Sequence, residues 1–245
     1  MDLSERPRGS FLRHPWELAR RELFAVILRE CGALDGGGAM LDVGAGDAWL
    51  SRWLVSRAAS RIALTCWDAA YGETGEREGV SFVRRRPRER FELVLMLDVL
   101  EHVDDDGAFL AETVSQNLVD EGHLLLSVPA WRGLFSDHDR ALEHRRRYQP
   151  AECRDLIERC GLTVIRAGGA FHSLLLLRAA ELAAWRVLGY KGQGHDELAW
   201  RRGELSRDIA AGLLTADARV SLVLERAGLD LPGLSWWSLC RKTSR

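Results

Sequence analysis

No stretch of this 245-residue sequence is apolar for the ~18 uninterrupted residues that a membrane-spanning helix requires. The nearest stretch, 173–190, is broken by Arg178, Glu181 and Arg186. The opening residues, MDLSERPRGSFLRHPWE, carry charge throughout and have no apolar core, so they do not read as a secretory signal. Closely spaced cysteine pairs are missing as well. Cys31, Cys66, Cys153, Cys160 and Cys240 lack the spacing of a zinc knuckle or a redox CxxC, which predicts buried or idle thiols in a reducing cytoplasm. The chain has no excess charge of one sign. A net charge of -2 gives no whole-chain field for nucleic acid or an anionic membrane, and arginines cluster only at 84–86 and 145–147. Internal repeats and low-complexity segments are absent too. What remains is a globular balance, 47% hydrophobic and 29% charged, in a chain long enough to bury a core without staples.

Helical and strand patterns alternate along that chain. Residues 15–31 have apolar side chains at helical spacing, with Pro15 suited to a first turn. Residues 39–43 (AMLDV) read as a strand ending in Gly44-Ala45-Gly46, and 47–58 as the helix that follows. Further strands are predicted over 62–67, 80–83, 91–97, 122–128 and 162–167, with helices over 104–118 and 150–160. Residues 171–190 and 196–227 read as two helical stretches separated by residues 189–194, and 234–240 as a last strand. The expected fold class is α/β: a Rossmann-like three-layer sandwich with a mostly parallel seven-stranded sheet and a helical insertion before the last strand. One domain is expected, with 1–38 a helical cap, 39–170 the core, 171–230 a helical lid or insertion, and 231–245 the last strand.

The strongest local signal is Asp42-Val43-Gly44-Ala45-Gly46-Asp47-Ala48. Glycines let backbone approach a ligand closely, and the following helix offers free N–H groups. Where the dinucleotide fingerprint places its third glycine this chain has Trp49, which argues against a nicotinamide-dependent oxidoreductase. The turn instead begins with a carboxylate, Asp42, able to meet an ammonium group. The next strand ends at Asp68, placed to accept from ribose hydroxyls.

MLDVGAGDAWLS resembles motif I of class I S-adenosylmethionine-dependent methyltransferases, and Asp68 resembles their ribose-binding acid. FELVLMLDVLEHVDD is similar to their fourth strand and the motif after it. Its Asp98, Leu100, Glu101 and His102 resemble those of small-molecule methyltransferases of the ubiquinone-biosynthesis type. The resemblance implies that S-adenosylmethionine binds along Asp42, Gly44, Ala45, Gly46, Asp68, Ala69, Leu97 and Asp98, leaving S-adenosylhomocysteine as product. Many relatives carry an acid after the third strand, where this chain has Arg84-Arg85-Arg86. The segment from Ser136 to Tyr148, SDHDRALEHRRRY, resembles a His-Asp…Gly-His-x-Arg-Arg-Tyr segment of a bacterial subgroup associated with glycan and lipid-linked glycan pathways. Glu143 stands here where that pattern has glycine.

His102, His138 and His144 are the candidate general bases, since each titrates near neutrality. Asp139, Arg147 and Tyr148 are the candidate acceptor-binding residues, because an arginine fork suits a carboxylate or phosphate. A structural knot is the competing reading of the same residues. Two histidines and one aspartate in this segment are too sparse for a metal site, and no metal is expected. The predicted activity is methyl transfer to a small-molecule or lipid- or glycan-linked acceptor. The alternative is a catalytically silent cofactor-binding subunit. Nucleic acid is not an expected partner. The apolar stripe at 173–190 could serve as a lid, a peripheral membrane contact, a homodimer face or plain core packing.

Overall fold

The computed structural model describes residues 12–188, 200 and 202–243. The predicted break at 189–194 and the start of the stretch predicted at 196–227 lie outside the described residues, as do residues 1–11. The first helix, α1, spans Pro15–Glu30, with Pro15 in its first turn; His14 precedes it and accepts the Trp16 N–H on its ring nitrogen at 3.2 Å. Then come β1 (Gly38–Val43), α2 (Trp49–Ser56), β2 (Ile62–Trp67), β3 (Gly75–Arg77), β4 (Val80–Val83) and β5 (Phe91–Leu97). After β5 a short 3₁₀ turn, Leu100–His102, leads to α3 (Asp106–Asn117), which passes directly into β6 (Leu118–Pro129). The rest is α4 (Asp137–Ala141), α5 (Pro150–Arg159), β7 (Leu162–Ala170), α6 (His172–Leu188), α7 (Glu204–Arg226) and β8 (Ser235–Lys242).

The fold is the expected Rossmann-like α/β sandwich, but its sheet has eight strands where the sequence predicted seven. The order is β3-β4-β2-β1-β5-β6-β8-β7. The extra strand, β3, is a three-residue antiparallel edge joined to β4 by a two-residue turn at Glu78 and Gly79, both left-handed. Its sequence, Gly-Glu-Arg, is exposed and carries no apolar alternation, so periodicity could not reveal it. Strand β6 also begins four residues early, because α3 runs into it without a loop.

The central strands are buried on both faces, as near-continuous apolar runs require. Leu93 and Leu95 of β5 point to one core, with Leu23, Phe24, Ile27 and Leu28 of α1. Val94 and Met96 point to the other, with Leu110 and Val114 of α3 and Ile157 of α5. Each such side chain contributes about 1.5–3 kcal/mol on burial.

From β1 the chain winds outward through β2 to β4. From β5 it winds the other way through β6. The order therefore reverses between β1 and β5, and at such a point a crevice opens beyond the carboxyl ends of the strands. Helices α6 and α7 form the insertion before the last strand. Asp217 of α7 caps α6 by accepting the N–H groups of His172 (3.2 Å) and Ser173 (2.9 Å). Arg166 of β7 bridges Glu225 of α7 (2.6 Å) and Glu30 of α1 (2.8 Å). Among the described residues no helix is long and apolar enough to cross a membrane.

Candidate functional site at the carboxyl edge of the sheet

The turn after β1 lies beside the reversal point. Gly44 and Gly46 are both left-handed, at φ +64° and +54°. A Cβ on Gly44 would meet the Val99 side chain at 2.8 Å, so any side chain there must displace Val99. Ala48 is left-handed too, which delays the start of α2 from the predicted residue 47 to Trp49.

Side chains from neighbouring elements fix this turn. Asp68, just past β2, accepts the Gly46 N–H and the Ala70 N–H, each at 2.8 Å. The Tyr71 hydroxyl donates to the Gly46 carbonyl at 2.9 Å. The Asp68 carboxylate thus shapes the turn while keeping lone pairs for further donors; Ala69 beside it is exposed. Ala45 is nearly buried, and its N–H donates to the Trp67 carbonyl at 3.2 Å. Asp42 is buried within β1, and burial is the main cause that pushes its carboxyl up to about 6.

The second wall is the end of β5. Leu97 is half-buried there, and Asp98 takes a left-handed conformation at φ +56°. Its carboxylate pairs with Arg20 of α1 at 2.8 Å and accepts from the Ser127 hydroxyl of β6 at 2.9 Å. From the coil before α1, Arg13 pairs with Asp47 and lies 4.3 Å from the Trp49 ring centre. Sequence reading missed Arg20, Arg13 and Tyr71. Arg13 and Arg20 reach the site from the coil before α1 and from α1 itself, far from the glycine turn in sequence, and Tyr71 from the loop three residues after Asp68.

The segment from Ser136 to Tyr148 joins the same edge. Asp139 is fully buried and accepts the Ser136 N–H (2.9 Å), the Ser136 hydroxyl (3.0 Å) and Arg147 Nε (2.7 Å). These partners, with His144, outweigh its burial and hold its carboxyl below the usual range. His144 Nδ1 stands 3.1 Å from Asp139 Oδ1, and its ring meets that of His102 edge-on at 4.8 Å. His138 sits half-buried on α4.

Arg147 and Tyr148, candidate acceptor-binding residues together with Asp139, are buried and hydrogen-bonded within the protein. Arg147 also donates to the Ala130 carbonyl at 3.2 Å, and Tyr148 to Asp106 at 2.6 Å. Arg145 and Arg146 donate to the carbonyls of His102 (2.9 Å) and Val103 (2.9 Å). The whole run therefore clasps the loop after β5. Glu101 lies inside that clasp, fully buried, with neither carboxylate oxygen hydrogen-bonded. Its significance was not legible from sequence, where it read only as part of a motif.

After β4, Arg84 and Arg85 are exposed. Arg86 is committed to Glu112 at 3.0 Å and lies 5.0 Å from the centre of the Trp67 ring, which itself stacks on Phe109. Several large apolar side chains of the insertion are exposed: Leu176, Leu177 and Trp185 on α6, and Leu205, Ile209 and Leu213 on α7.

Comparison with known proteins agrees with this architecture. A family model described as a methyltransferase domain matches residues 16–167. A protein described as a sarcosine dimethylglycine methyltransferase from Galdieria sulphuraria superposes with a TM-score of 0.56 at 16% identity, over 92% of this chain and 85% of that one. The [4+2]-cyclase SpnF superposes at 0.55 with 17% identity, over 91% and 81% of the respective chains. The 1,6-didemethyltoxoflavin-N1-methyltransferase of Burkholderia thailandensis, solved with 1,6-didemethyltoxoflavin and S-adenosylhomocysteine, superposes at 0.51 with 17% identity, over 92% and 79%. No curated protein matches the sequence. Likeness at these identities speaks for a common fold.

Proposed function

The chain belongs to the methyltransferase domain family, and from that premise we propose that it transfers the methyl group of S-adenosylmethionine to a small-molecule or lipid- or glycan-linked acceptor. The observation that carries the reading is the turn after β1, whose two left-handed glycines lie beside the sheet's reversal point, where a Cβ at Gly44 would have to displace Val99. The residues present fit the donor. Gly44, Ala45 and Gly46 let its methionine portion lie against backbone. Asp42, ionised above about pH 6, attracts the ammonium group. Asp68 has lone pairs for the ribose hydroxyls, beside Ala69. Leu97 and Asp98 line the floor.

Bound S-adenosylmethionine supplies a methyl group made electrophilic by a positive sulfur. The task of the chain is alignment and exclusion of water. Asp139, Arg147 and Tyr148 position the acceptor side by holding the loop that carries Glu101 and His102. His102, His138 and His144 are the groups available to the acceptor's own proton. Arg178 of α6 donates to the Ser136 hydroxyl, which ties the insertion to that side. The exposed apolar side chains on α6 and α7 support an acceptor that carries apolar mass, met in the cytoplasm or at a membrane surface.

Calorimetric titration of the purified chain with S-adenosylmethionine and S-adenosylhomocysteine, with NADH as control, tests the donor site. Micromolar binding of the first two, weakened more than tenfold in Asp68→Asn, is the expected result. Binding of NADH alone would return the chain to the oxidoreductases. Tight donor binding without transfer to any acceptor in a broad glycan and lipid-linked panel would favour the silent cofactor-binding subunit.

A further inference from the structure

Among the described residues no other residue hydrogen-bonds the Glu101 carboxyl group, and its own backbone N–H is the one backbone group that favours its charge. The carboxyl group is fully buried, and neither oxygen has a hydrogen-bond partner in another residue. A buried polar group left this way costs several kcal/mol. The nearest charges do not repay that cost. Asp98 repels it, and Arg20 and Arg147, the cations that favour its charge most, are already bound to Asp98 and Asp139.

Two imidazoles face the same point. The carboxylate oxygen of Glu101 and ring nitrogens of His102 and His144 all lie within 4.8 Å of one another. The two rings stand almost perpendicular, at 83°. Asp139 Oδ1 lies 3.1 Å from His144 Nδ1, which places the ring proton on Nδ1 and leaves the Nε2 lone pair as the metal donor. Asp139 is itself immobilised by Ser136 and Arg147. A buried carboxylate fixing the far nitrogen of a histidine is the arrangement that orients histidines toward metal ions.

We propose that Glu101, His102 and His144 bind a divalent transition-metal ion of the zinc type, with Asp139 orienting His144. Two imidazole nitrogens and one carboxylate oxygen suit such an ion, whereas magnesium and calcium favour all-oxygen sets. At metal–ligand bonds of ~2.0–2.1 Å, tetrahedral ligand atoms stand about 3.4 Å apart, so ligand atoms now up to 4.8 Å apart draw together by at most about 1.4 Å on occupation. The positive ion would satisfy Glu101 and relieve its repulsion with Asp98. Three protein ligands leave one position open, as in catalytic rather than structural sites. That position takes an oxygen of the acceptor, hydroxyl or carboxylate, a step that rests on the methyl-transfer reading; occupation of the site by metal does not.

The test uses the full chain, stripped with a chelator and then given one equivalent of cobalt(II), followed by calorimetry with zinc. We expect visible d–d absorption of a four- or five-coordinate ion, without the near-ultraviolet charge transfer of thiolate ligation. We also expect one zinc per chain, with affinity reduced at least about 100-fold in Glu101→Gln and His144→Ala and about 10–100-fold in Asp139→Asn. Absence of both d–d bands and zinc binding in the wild-type chain overturns the proposal without reference to any variant. Thiolate bands, or zinc affinity unchanged in variants that keep wild-type circular dichroism, overturn it as well. Titration of the same metal-free sample with S-adenosylhomocysteine reports separately on the donor site.

Discussion

At Gly44 two demands meet on one residue. The backbone is left-handed, and a Cβ would lie 2.8 Å from Val99. Gly44→Ala should therefore cost about 1–3 kcal/mol in denaturant unfolding. Adding Val99→Ala should recover the steric share and leave the conformational one. If the double variant is no more stable than the single, the clash is not where the cost arises.

Asp42 makes a different kind of prediction. Its carboxyl sits at about 6 in the folded chain against an ordinary 3.8, so the folded state binds that proton more tightly than the unfolded state does. Its contribution to stability is full below about pH 4 and is lost as pH rises through 6, a change of roughly 3 kcal/mol. Donor binding should run the opposite way, because an ammonium group needs the carboxylate. Affinity for S-adenosylhomocysteine should fall about tenfold per pH unit below 6. Asp42→Asn should flatten both profiles, and a wild-type affinity independent of pH between 4 and 7 would remove Asp42 from the donor site. Glu143 shows what sequence and structure each contribute at this scale. The sequence marks it as the place where a related pattern has glycine, and the structure supplies the reason: the residue is left-handed, at φ +57°.

Among elements, those with strong periodicity were legible: α1, β1, β5 and α5 fall within one or two residues of the expected bounds. The three-residue β3 was not, because an edge strand of Gly, Glu and Arg has no buried face to leave an apolar trace. The segment from Ser136 to Tyr148 was legible as unusual but not as what it is. Its histidines and arginines read equally well as ligands or as a clasp, and only three-dimensional contacts decide which side chains are already spent. Asp139 is the centre of that clasp, paired with the buried Arg147. Asp139→Ala would leave a buried guanidinium without its carboxylate and should cost about 3–5 kcal/mol in chemical denaturation. Affinity for S-adenosylhomocysteine should stay within about twofold, since Asp139 touches none of the residues placed around the donor. A loss under about 1 kcal/mol would mean that solvent reaches Arg147 and that the segment is not a clasp.

For the whole molecule, the carboxyl edge of the sheet is closed by parts drawn from both ends of the chain. Trp200 donates to the Leu12 carbonyl at 3.1 Å. Trp16 of α1 packs on Phe171 at the head of α6, with ring centres 6.1 Å apart. This docking is what carries Arg20 across the crevice to Asp98. In the proposed donor site one carboxylate then faces two cations, the guanidinium and the sulfonium of S-adenosylmethionine. The product, S-adenosylhomocysteine, has no sulfonium charge. Arg20 should therefore weaken the substrate form relative to the product form and so tax donor binding more than product binding. Charges a few ångströms apart at an effective dielectric near 20 interact by a few kcal/mol, and partial compensation by Asp98 leaves about 1–2 kcal/mol. Arg20→Ala should raise the affinity for S-adenosylmethionine relative to S-adenosylhomocysteine roughly tenfold, read by calorimetry with both ligands at low salt. The absolute affinities can both fall, because α1 loses an anchor, but the ratio isolates the charge. An unchanged ratio would place the sulfonium away from Asp98 and move the proposed floor of the donor site off the end of β5.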